Sequence, residues 1–278
     1  HEGCGIVEDV NENVSKVKKG DKVVMHWRKG SGIEADFTKY SWNDREISGG
    51  KVTTLAEEAV VSENRVTPVD KDIDSEFCAL LGCGLSTGFS VVNKDANVKF
   101  GESVLVIGCG GVGLSCVQAA KLSLASEVVG IDINEKKRQM AENFGAIFYS
   151  PVDVEKIVES KTKFDCIIDT TGILSLVSRL IPLLSEQGRC ILVSQPKAGS
   201  QIVISDPIKF FSSNGQTIRS TQAGNFDPDI DIARYIKIYK NGQINIKSLI
   251  TDRYDIFNVN EAIAKLKAGE SGRIMINF

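Results

Sequence analysis

Six residues, Gly108-Cys-Gly-Gly-Val-Gly113, limit the fold of this chain more than any other stretch. A short apolar run at 104–107 precedes them, and a helical pattern at 112–124 follows. In this context Gly108 permits a tight turn, Gly110 lets the backbone approach a pyrophosphate, and Gly113 lets the helix pack on the strand. Phosphates would meet the free N–H groups and positive end of the helix. The alternative is a glycine-rich turn of an unrelated α/β domain.

Asp132 supports the dinucleotide interpretation, because it ends the next predicted strand, 19 residues beyond Gly113. A carboxylate there can accept hydrogen bonds from the adenosine ribose hydroxyls and would repel a 2′-phosphate. We therefore predict a site for NAD rather than NADP, with Gly111 in the phosphate loop and Lys137 near the same ribose. Asp132 can also cap the helix that begins after it, and the two roles are compatible.

Short apolar strands alternate with helices beyond the glycine motif. Because such alternation implies right-handed crossovers, it predicts an α/β fold with a doubly wound parallel sheet, the Rossmann fold. A β-rich unit is expected before residue 81, where Asn, Gly and Asp separate the apolar runs. Predicted strands lie at 5–10, 17–24, 59–61, 104–107, 127–132, 147–149, 164–169, 190–193 and 273–278, and predicted helices at 112–124, 135–144, 152–161, 174–184, 230–240 and 259–267.

The composition excludes several classes of partner. With 33 Lys and Arg against 36 Asp and Glu, the chain has no basic field for nucleic acid or an anionic membrane. The uncharged stretch 103–120 approaches the length of a membrane span, but its four glycines favour a strand, a turn and a helix. Seven scattered cysteines without a CxxC pair indicate reduced thiols and a cytoplasmic protein. Since the sequence starts at His1 without methionine or a secretory signal, we expect an N-terminally incomplete chain.

Motifs along nearly the whole chain resemble those of the zinc-dependent medium-chain alcohol dehydrogenases, closest to the branch that contains glutathione-dependent formaldehyde dehydrogenase. The resemblance implies hydride transfer between NAD and an alcohol, or the matching aldehyde or ketone. It also implies a GroES-like catalytic domain from residues 1–84 and 222–278, interrupted by a Rossmann domain at 85–221. The motifs are His1-Glu-Gly3, Gly20-Asp-Lys-Val23, Ala59-Val-Val-Ser-Glu-Asn64, Gly82-Cys-Gly-Leu-Ser-Thr-Gly88, Gly108-Cys-Gly-Gly-Val-Gly-Leu114, Asp132-Ile-Asn134 and Gly269-Glu-Ser-Gly-Arg273.

The same resemblance implies that His1 and Cys83 are ligands of a catalytic zinc and that Glu2 is a carboxylate able to approach the metal. Such a zinc lowers the pKa of the bound alcohol and acts as a Lewis acid. In the family, a further cysteine ligand and a proton-passing hydroxyl residue lie upstream of the His-Glu motif, so we expect this chain to hold an incomplete zinc site. The family's four-cysteine structural zinc should lie between residues 24 and 55, where no cysteine occurs, and is expected to be absent.

By resemblance, Thr87 would contact the nicotinamide, Val112 would lie behind it, and Arg273 would reach the pyrophosphate. Each residue has a structural alternative: a helix cap for Thr87, the core for Val112, and a surface ion pair for Arg273. The family also implies a homodimer or homotetramer, with the sheet continued between subunits through an edge strand near residues 201–204.

One segment matches no expected motif. His26-Trp-Arg-Lys-Gly-Ser-Gly32, together with Tyr40-Ser-Trp42, could line a pocket for an anionic or sugar-like substrate, or form a solvated loop. Two other functions also stay open for the whole chain. It could be a zinc-free quinone or enone reductase of the same fold, or a dimer that binds the cofactor without catalysis.

Overall fold

The computed structural model of the chain describes residues 1–212 and 215–278, apart from the side chain of Pro151. Its N-terminal part contains a three-stranded antiparallel sheet with β2 in the centre, and a separate hairpin of β3 and β4. Asn43 and Asp44 connect the hairpin with φ of 47° and 62°, as a two-residue turn with both central residues left-handed requires. The strands are β1 (Gly3–Ile6), β2 (Lys22–Met25), β3 (Lys39–Trp42), β4 (Arg45–Ser48) and β5 (Val66–Val69).

The central part forms a six-stranded parallel sheet in the order β11-β10-β9-β6-β7-β8. Val104 and Val106 face one hydrophobic cluster while Leu105 and Ile107 face another, so the sheet is buried on both sides. The strand order reverses between β6 and β9, which places a crevice at their carboxyl ends. The strands are β6 (Ser103–Ile107), β7 (Glu127–Ile131), β8 (Ile147–Tyr149), β9 (Phe164–Asp169), β10 (Leu184–Leu192) and β11 (Thr217–Ser220).

Helices cover this sheet and connect it to the N-terminal part. After α8 the chain adds a parallel pair, β12 (Ile250–Asp255) with β13 (Arg273–Asn277), on either side of α9 in sequence. The helices are α1 (Ser75–Leu80), α2 (Gly84–Ser90), α3 (Gly111–Leu122), α4 (Arg138–Asn143), α5 (Val154–Ser160), α6 (Leu174–Leu180), α7 (Pro207–Ser212), α8 (Pro228–Lys240) and α9 (Val259–Lys267).

Two of the predicted N-terminal strands are shorter than expected. The first ends at Ile6 rather than at residue 10. The second begins only at Lys22, because Gly20 is left-handed at φ 86° and the amide of Asp21 donates to the Lys18 carbonyl in a turn. The alternation of apolar residues in 17–24 therefore runs across a turn and into a strand.

Two other predicted strands are wrong. Residues 59–61 belong to no strand, because the amide of Val60 donates to the hydroxyl of Tyr40 and its carbonyl accepts from the hydroxyl of Thr38. Residues 201–204 also form no strand, and the amide of Val203 donates to the hydroxyl of Ser178. The edge of the six-stranded sheet is β11 instead. At both places, hydrogen bonds to side-chain hydroxyls take the place of the backbone hydrogen bonds that a strand would form.

In the part of the chain that the structure describes, no helix is both long and apolar enough to cross a membrane. The uncharged stretch 103–120 divides into β6, the glycine turn and α3, as its glycines predict.

Candidate active site

The glycine loop leaves β6 and enters α3 in a conformation that would accommodate a phosphate group. Gly108 is left-handed at φ 92°, and a Cβ there would lie 2.6 Å from Oγ1 of Thr170. A Cβ on Gly113 would collide with the carbonyl oxygen of Gly108, so α3 packs too closely for a side chain. By contrast, a Cβ on Gly110 would meet no atom within 4 Å. No side chain caps α3, so its first amides are free to meet an anion.

Asp132 holds this loop in place. One carboxylate oxygen accepts a hydrogen bond from the amide of Cys109 at 2.7 Å, and the other accepts from the amide of Asn134 at 2.8 Å. Asn134, rather than Asp132, caps the short helix that follows, because its side chain accepts from the amide of Lys136. The half-buried carboxylate of Asp132 therefore lies at the loop where an adenosine ribose is predicted.

Lys137 is buried, and its ammonium donates to the carbonyl of Ser271. Burial lowers the pKa of Lys137, and the nearby carboxylate of Asp132 opposes that shift. The side chain is thus close to Asp132, as predicted, but its ammonium is bonded to the C-terminal segment. Whether it also contacts a ribose stays a prediction.

The C-terminal segment 269–273 lies against the residues that follow Asp132. The side-chain amide of Asn134 donates to the carbonyl of Gly269 at 2.6 Å, and Lys136 pairs with Glu270 at 2.6 Å. Arg273 ends this segment, and its side chain occupies the space that a Cβ on Gly111 would need. The guanidinium therefore lies beside the start of α3, where the resemblance puts the pyrophosphate. Sequence reasoning missed the contacts of this segment, although its Gly-Glu-Ser-Gly-Arg motif was recognised.

The two segments that carry the predicted metal ligands are adjacent. An ideal Cβ on Gly82 would lie 3.0 Å from the Cα of Glu2 and 3.0 Å from the carbonyl oxygen of His1. Oε1 of Glu2 accepts from the amide of Gly84 at 2.6 Å and from the guanidinium of Arg273. One carboxylate thus joins the N-terminus of α2 to the arginine beside the glycine loop. Sequence reasoning placed Glu2 near a metal but missed this ion pair.

Cys83 directly precedes α2 and is half-buried. Burial raises the pKa of the Cys83 thiol, and the carboxylate of Glu2 adds to this effect, while Arg273 and a hydrogen bond with Thr87 oppose it. Thr87 is buried inside α2, so the helix-cap alternative for Thr87 is wrong. Val112 is half-buried at the start of α3 and packs against the main core.

The ring of His1 is exposed and lies 6.1 Å from the ring of Trp27, centroid to centroid. Among residues 1–212 and 215–278, no group of three or more His, Cys, Asp or Glu side chains is placed to hold a metal ion. His1, Glu2 and Cys83 are therefore brought to neighbouring segments without forming a complete ligand set. Their role at a metal stays a prediction.

The loop that follows β2 divides into structural and exposed residues. His26 is completely buried, its Nδ1 donates to the carbonyl of Arg28 at 2.7 Å, and its Nε2 accepts from the hydroxyl of Thr67 at 2.9 Å. Burial lowers the pKa of His26 to about 4. Trp27 packs against the main core, whereas Trp42 lies on the separate hairpin and is 62% exposed. The predicted pocket thus retains Trp27 and Arg28 as its candidates.

Comparisons with known proteins match both halves of this architecture. Residues 1–71 match the family model for an alcohol dehydrogenase GroES-like domain, and residues 111–238 match that for a zinc-binding dehydrogenase. S-(hydroxymethyl)glutathione dehydrogenase of Saccharomyces cerevisiae is 30% identical, over 99% of this chain and 80% of the relative. Alcohol dehydrogenase 6 of Peromyscus maniculatus is 30% identical, over 99% and 81% of the two chains.

A solved structure agrees with the fold. Benzyl alcohol dehydrogenase from Acinetobacter calcoaceticus superposes with a TM-score of 0.85 at 22% identity, covering 99% of this chain and 82% of that one. The sheet order and glycine loop define a Rossmann part, and the match of residues 1–71 adds a GroES-like part, which together make a medium-chain dehydrogenase architecture. The chain belongs to the zinc-type medium-chain alcohol dehydrogenase family. The predicted fold class and the family resemblance are confirmed.

Proposed function

We propose that this protein binds NAD at the carboxyl ends of β6 and β7 and transfers a hydride between the nicotinamide and an alcohol, or the matching aldehyde or ketone. The observation that supports this most is the glycine loop, which is open at Gly110, fixed through Cys109 by Asp132, and flanked by Arg273. The alcohol substrate is inferred from the relatives, which include an S-(hydroxymethyl)glutathione dehydrogenase and an alcohol dehydrogenase.

Each side chain then has a physical task. The free amides of α3 and the guanidinium of Arg273 bind the pyrophosphate. Asp132 already accepts two backbone hydrogen bonds, but a carboxylate has further lone pairs for ribose hydroxyls, and its charge disfavours a 2′-phosphate. Thr87 and Val112 contact the nicotinamide from α2 and α3. When bound, NAD supplies the hydride acceptor, and the protein fixes the distance to the substrate and excludes water.

The described residues do not by themselves fit a catalytic zinc, because His1, Glu2 and Cys83 do not form a group able to hold a metal ion. Binding of zinc by His1 and Cys83, with Glu2 as an exchanging carboxylate, therefore stays a prediction of the family resemblance. We assign no chemical step to the metal. Metal analysis of the purified protein, before and after dialysis against zinc and then against metal-free buffer, measures how much zinc remains bound.

The lack of a complete ligand set among the described residues supports a second candidate, a protein of this fold that acts without zinc. Such a protein either binds the cofactor without turnover or reduces quinones or enones. Titration with NAD and NADH, followed by a screen of alcohols, quinones and enones for changes in the absorbance of reduced nicotinamide, separates the candidates. We expect NAD binding and oxidation of at least one alcohol. Binding without turnover of any alcohol would favour the second candidate, and absence of binding would contradict both.

We further propose a cytoplasmic homodimer or homotetramer. All seven cysteines lie within the described residues and are unpaired, which supports a reducing compartment. Size-exclusion chromatography with light scattering measures the oligomeric state.

A further inference from the structure

Arg28 differs from the other cations around the loop that follows β2. Lys29 and Arg65 both pair with Glu34, at 3.0 and 2.9 Å, and Lys16 pairs with Asp229 at 2.7 Å. Arg28 forms no ion pair with any carboxylate of the described residues. Its guanidinium donates one hydrogen bond, from Nη1 to the backbone carbonyl of Gln222 at 3.0 Å. The remaining N–H groups of a planar fork are therefore available to a ligand.

The guanidinium of Arg28 lies near the predicted catalytic residues. Its Cζ is 5.8 Å from the centroid of the Trp27 ring, and that ring is 6.1 Å from the ring of His1. The indole of Trp27 thus lies between the guanidinium of Arg28 and the imidazole of His1. Gln222 precedes the turn at Ala223 and Gly224, so its contact with Arg28 joins the N-terminal part to the chain after β11. Arg28 therefore connects two segments of the predicted catalytic domain that are far apart in sequence.

The backbone that carries Arg28 is held from two sides. The buried imidazole of His26 donates to the carbonyl of Arg28 at 2.7 Å, and the guanidinium of Arg65 donates to the carbonyl of Trp27. Fixed positions of this kind reduce the entropy that a binding side chain loses when it meets its ligand. The loop is thus built to present the side chain of Arg28, although the side chain itself has no anionic partner.

Trp27 contributes its ring to this arrangement. Its Nε1 is buried and has no hydrogen-bond partner among the described residues, so a ligand would contact the face of the ring and not the N–H. The flat face of the indole adds an apolar surface between the charged group and His1.

We propose, on the basis of the hydride transfer proposed above, that Arg28 selects substrates in which the alcohol or carbonyl carbon is joined through a short apolar spacer to an oxyanion, a carboxylate or a phosphate. The oxyanion binds the free N–H groups of Arg28, the spacer lies on Trp27, and the reacting carbon lies near His1. Because charge-assisted hydrogen bonds are about twice as strong as neutral ones, we expect about a 10- to 100-fold preference for the charged substrate.

Two probes of nearly equal shape test this proposal: 4-(hydroxymethyl)benzoate and 4-methylbenzyl alcohol. Calorimetry with the NADH-bound protein measures binding of each probe without requiring turnover, and kcat/KM with NAD follows for each probe. The Arg28→Gln variant should lose the preference for the benzoate while its affinity for the neutral alcohol stays within about threefold. Arg28→Lys should keep part of the preference, because the ammonium retains the charge but not the fork.

Lys29→Gln is the matched control, since Lys29 is the neighbouring cation and already has Glu34 as its partner. This variant should keep the wild-type preference. A phosphate analogue, 4-(hydroxymethyl)phenyl phosphate, distinguishes the two sources of the oxyanion. If it binds more tightly than the benzoate, the site prefers a phosphate to a carboxylate.

Equal binding of the benzoate and the neutral alcohol by the wild-type protein would overturn the proposal. So would an equal loss for both probes in Arg28→Gln, because that is the result expected if Arg28 only holds the two segments together through Gln222. NADH binding is measured first, and the probes are also titrated without cofactor. A benzoate preference without NADH binding would refute the proposed hydride transfer and leave the anion site in place. NADH binding without the preference would refute the anion site and leave the proposed hydride transfer in place.

Discussion

Gly110 and Gly113 lie three residues apart in the same loop, but replacing each by alanine should have a different effect. Gly110 has φ −75° and ψ −173°, which any residue adopts, and a Cβ there meets no atom within 4 Å. Gly110→Ala should therefore change the free energy of unfolding by less than about 1 kcal/mol. The new methyl group would nevertheless occupy the surface that the pyrophosphate approaches.

The expected loss of cofactor affinity follows from the contact that the methyl group displaces. A hydrogen bond between a backbone amide and a charged phosphate contributes about 1.5 to 3 kcal/mol, so the dissociation constant for NAD should rise roughly 10- to 150-fold. Calorimetric titration with NAD measures this change, and urea unfolding measures stability. Gly113→Ala is the contrasting variant, because its Cβ would collide with the Gly108 carbonyl and should lower the free energy of unfolding by about 1 to 3 kcal/mol. Wild-type NAD affinity in Gly110→Ala would refute our placement of the pyrophosphate.

Three further predictions concern other parts of the site and the fold. Asp132→Ser should weaken NAD binding and raise the affinity for NADP, and an unchanged ratio of the two dissociation constants would contradict the role of Asp132. Arg273→Met should weaken NAD binding by about tenfold, while Glu2 keeps its hydrogen bond from the Gly84 amide. If Arg273 only pairs with Glu2, calorimetry in low salt would show the same NAD affinity in the variant and the wild type. Burial lowers the pKa of His26 from 6.5 to about 4, so the unfolded state binds more protons than the folded state between these two pH values. The free energy of unfolding should therefore be highest above pH 6.5 and should be lower by about 2 kcal/mol at pH 5. Urea unfolding as a function of pH should show a flatter profile for His26→Asn, and an equal slope in both proteins would count against this assignment.

The Rossmann part was predicted well because each element carries its own signal. The strands at 147–149 and 164–169 have the predicted bounds, since short apolar runs are flanked by polar turn residues. Outside the Rossmann part, the helix at 259–267 also has the predicted bounds, since its apolar residues follow a 3.6-residue period. The N-terminal part was predicted less well. The hairpin of β3 and β4 is almost wholly exposed and offers no clear apolar pattern. Val60, in the middle of the predicted strand 59–61, forms hydrogen bonds to side chains about 20 positions away.

The short helix α2 shows the limit of local reasoning most directly. It begins with Gly84, contains Gly88, and has no side-chain cap, so helix propensity does not predict it. All its residues are buried, and packing against neighbouring helices supports it instead. The same limit applies to the site. Sequence motifs identified the glycine loop, Asp132 and Arg273, but the ion pair between Glu2 and Arg273 joins residues 271 positions apart and follows only from the folded chain.

The most direct test of the account is calorimetric titration of the protein with NAD and with NADH, compared with NADP. We predict binding of one NAD(H) per chain and weaker binding of NADP, because the free amides of α3 hold the diphosphate and Asp132 excludes a 2′-phosphate. If neither NAD nor NADH binds to the correctly folded protein, the crevice is not a cofactor site, and the proposed hydride transfer is contradicted.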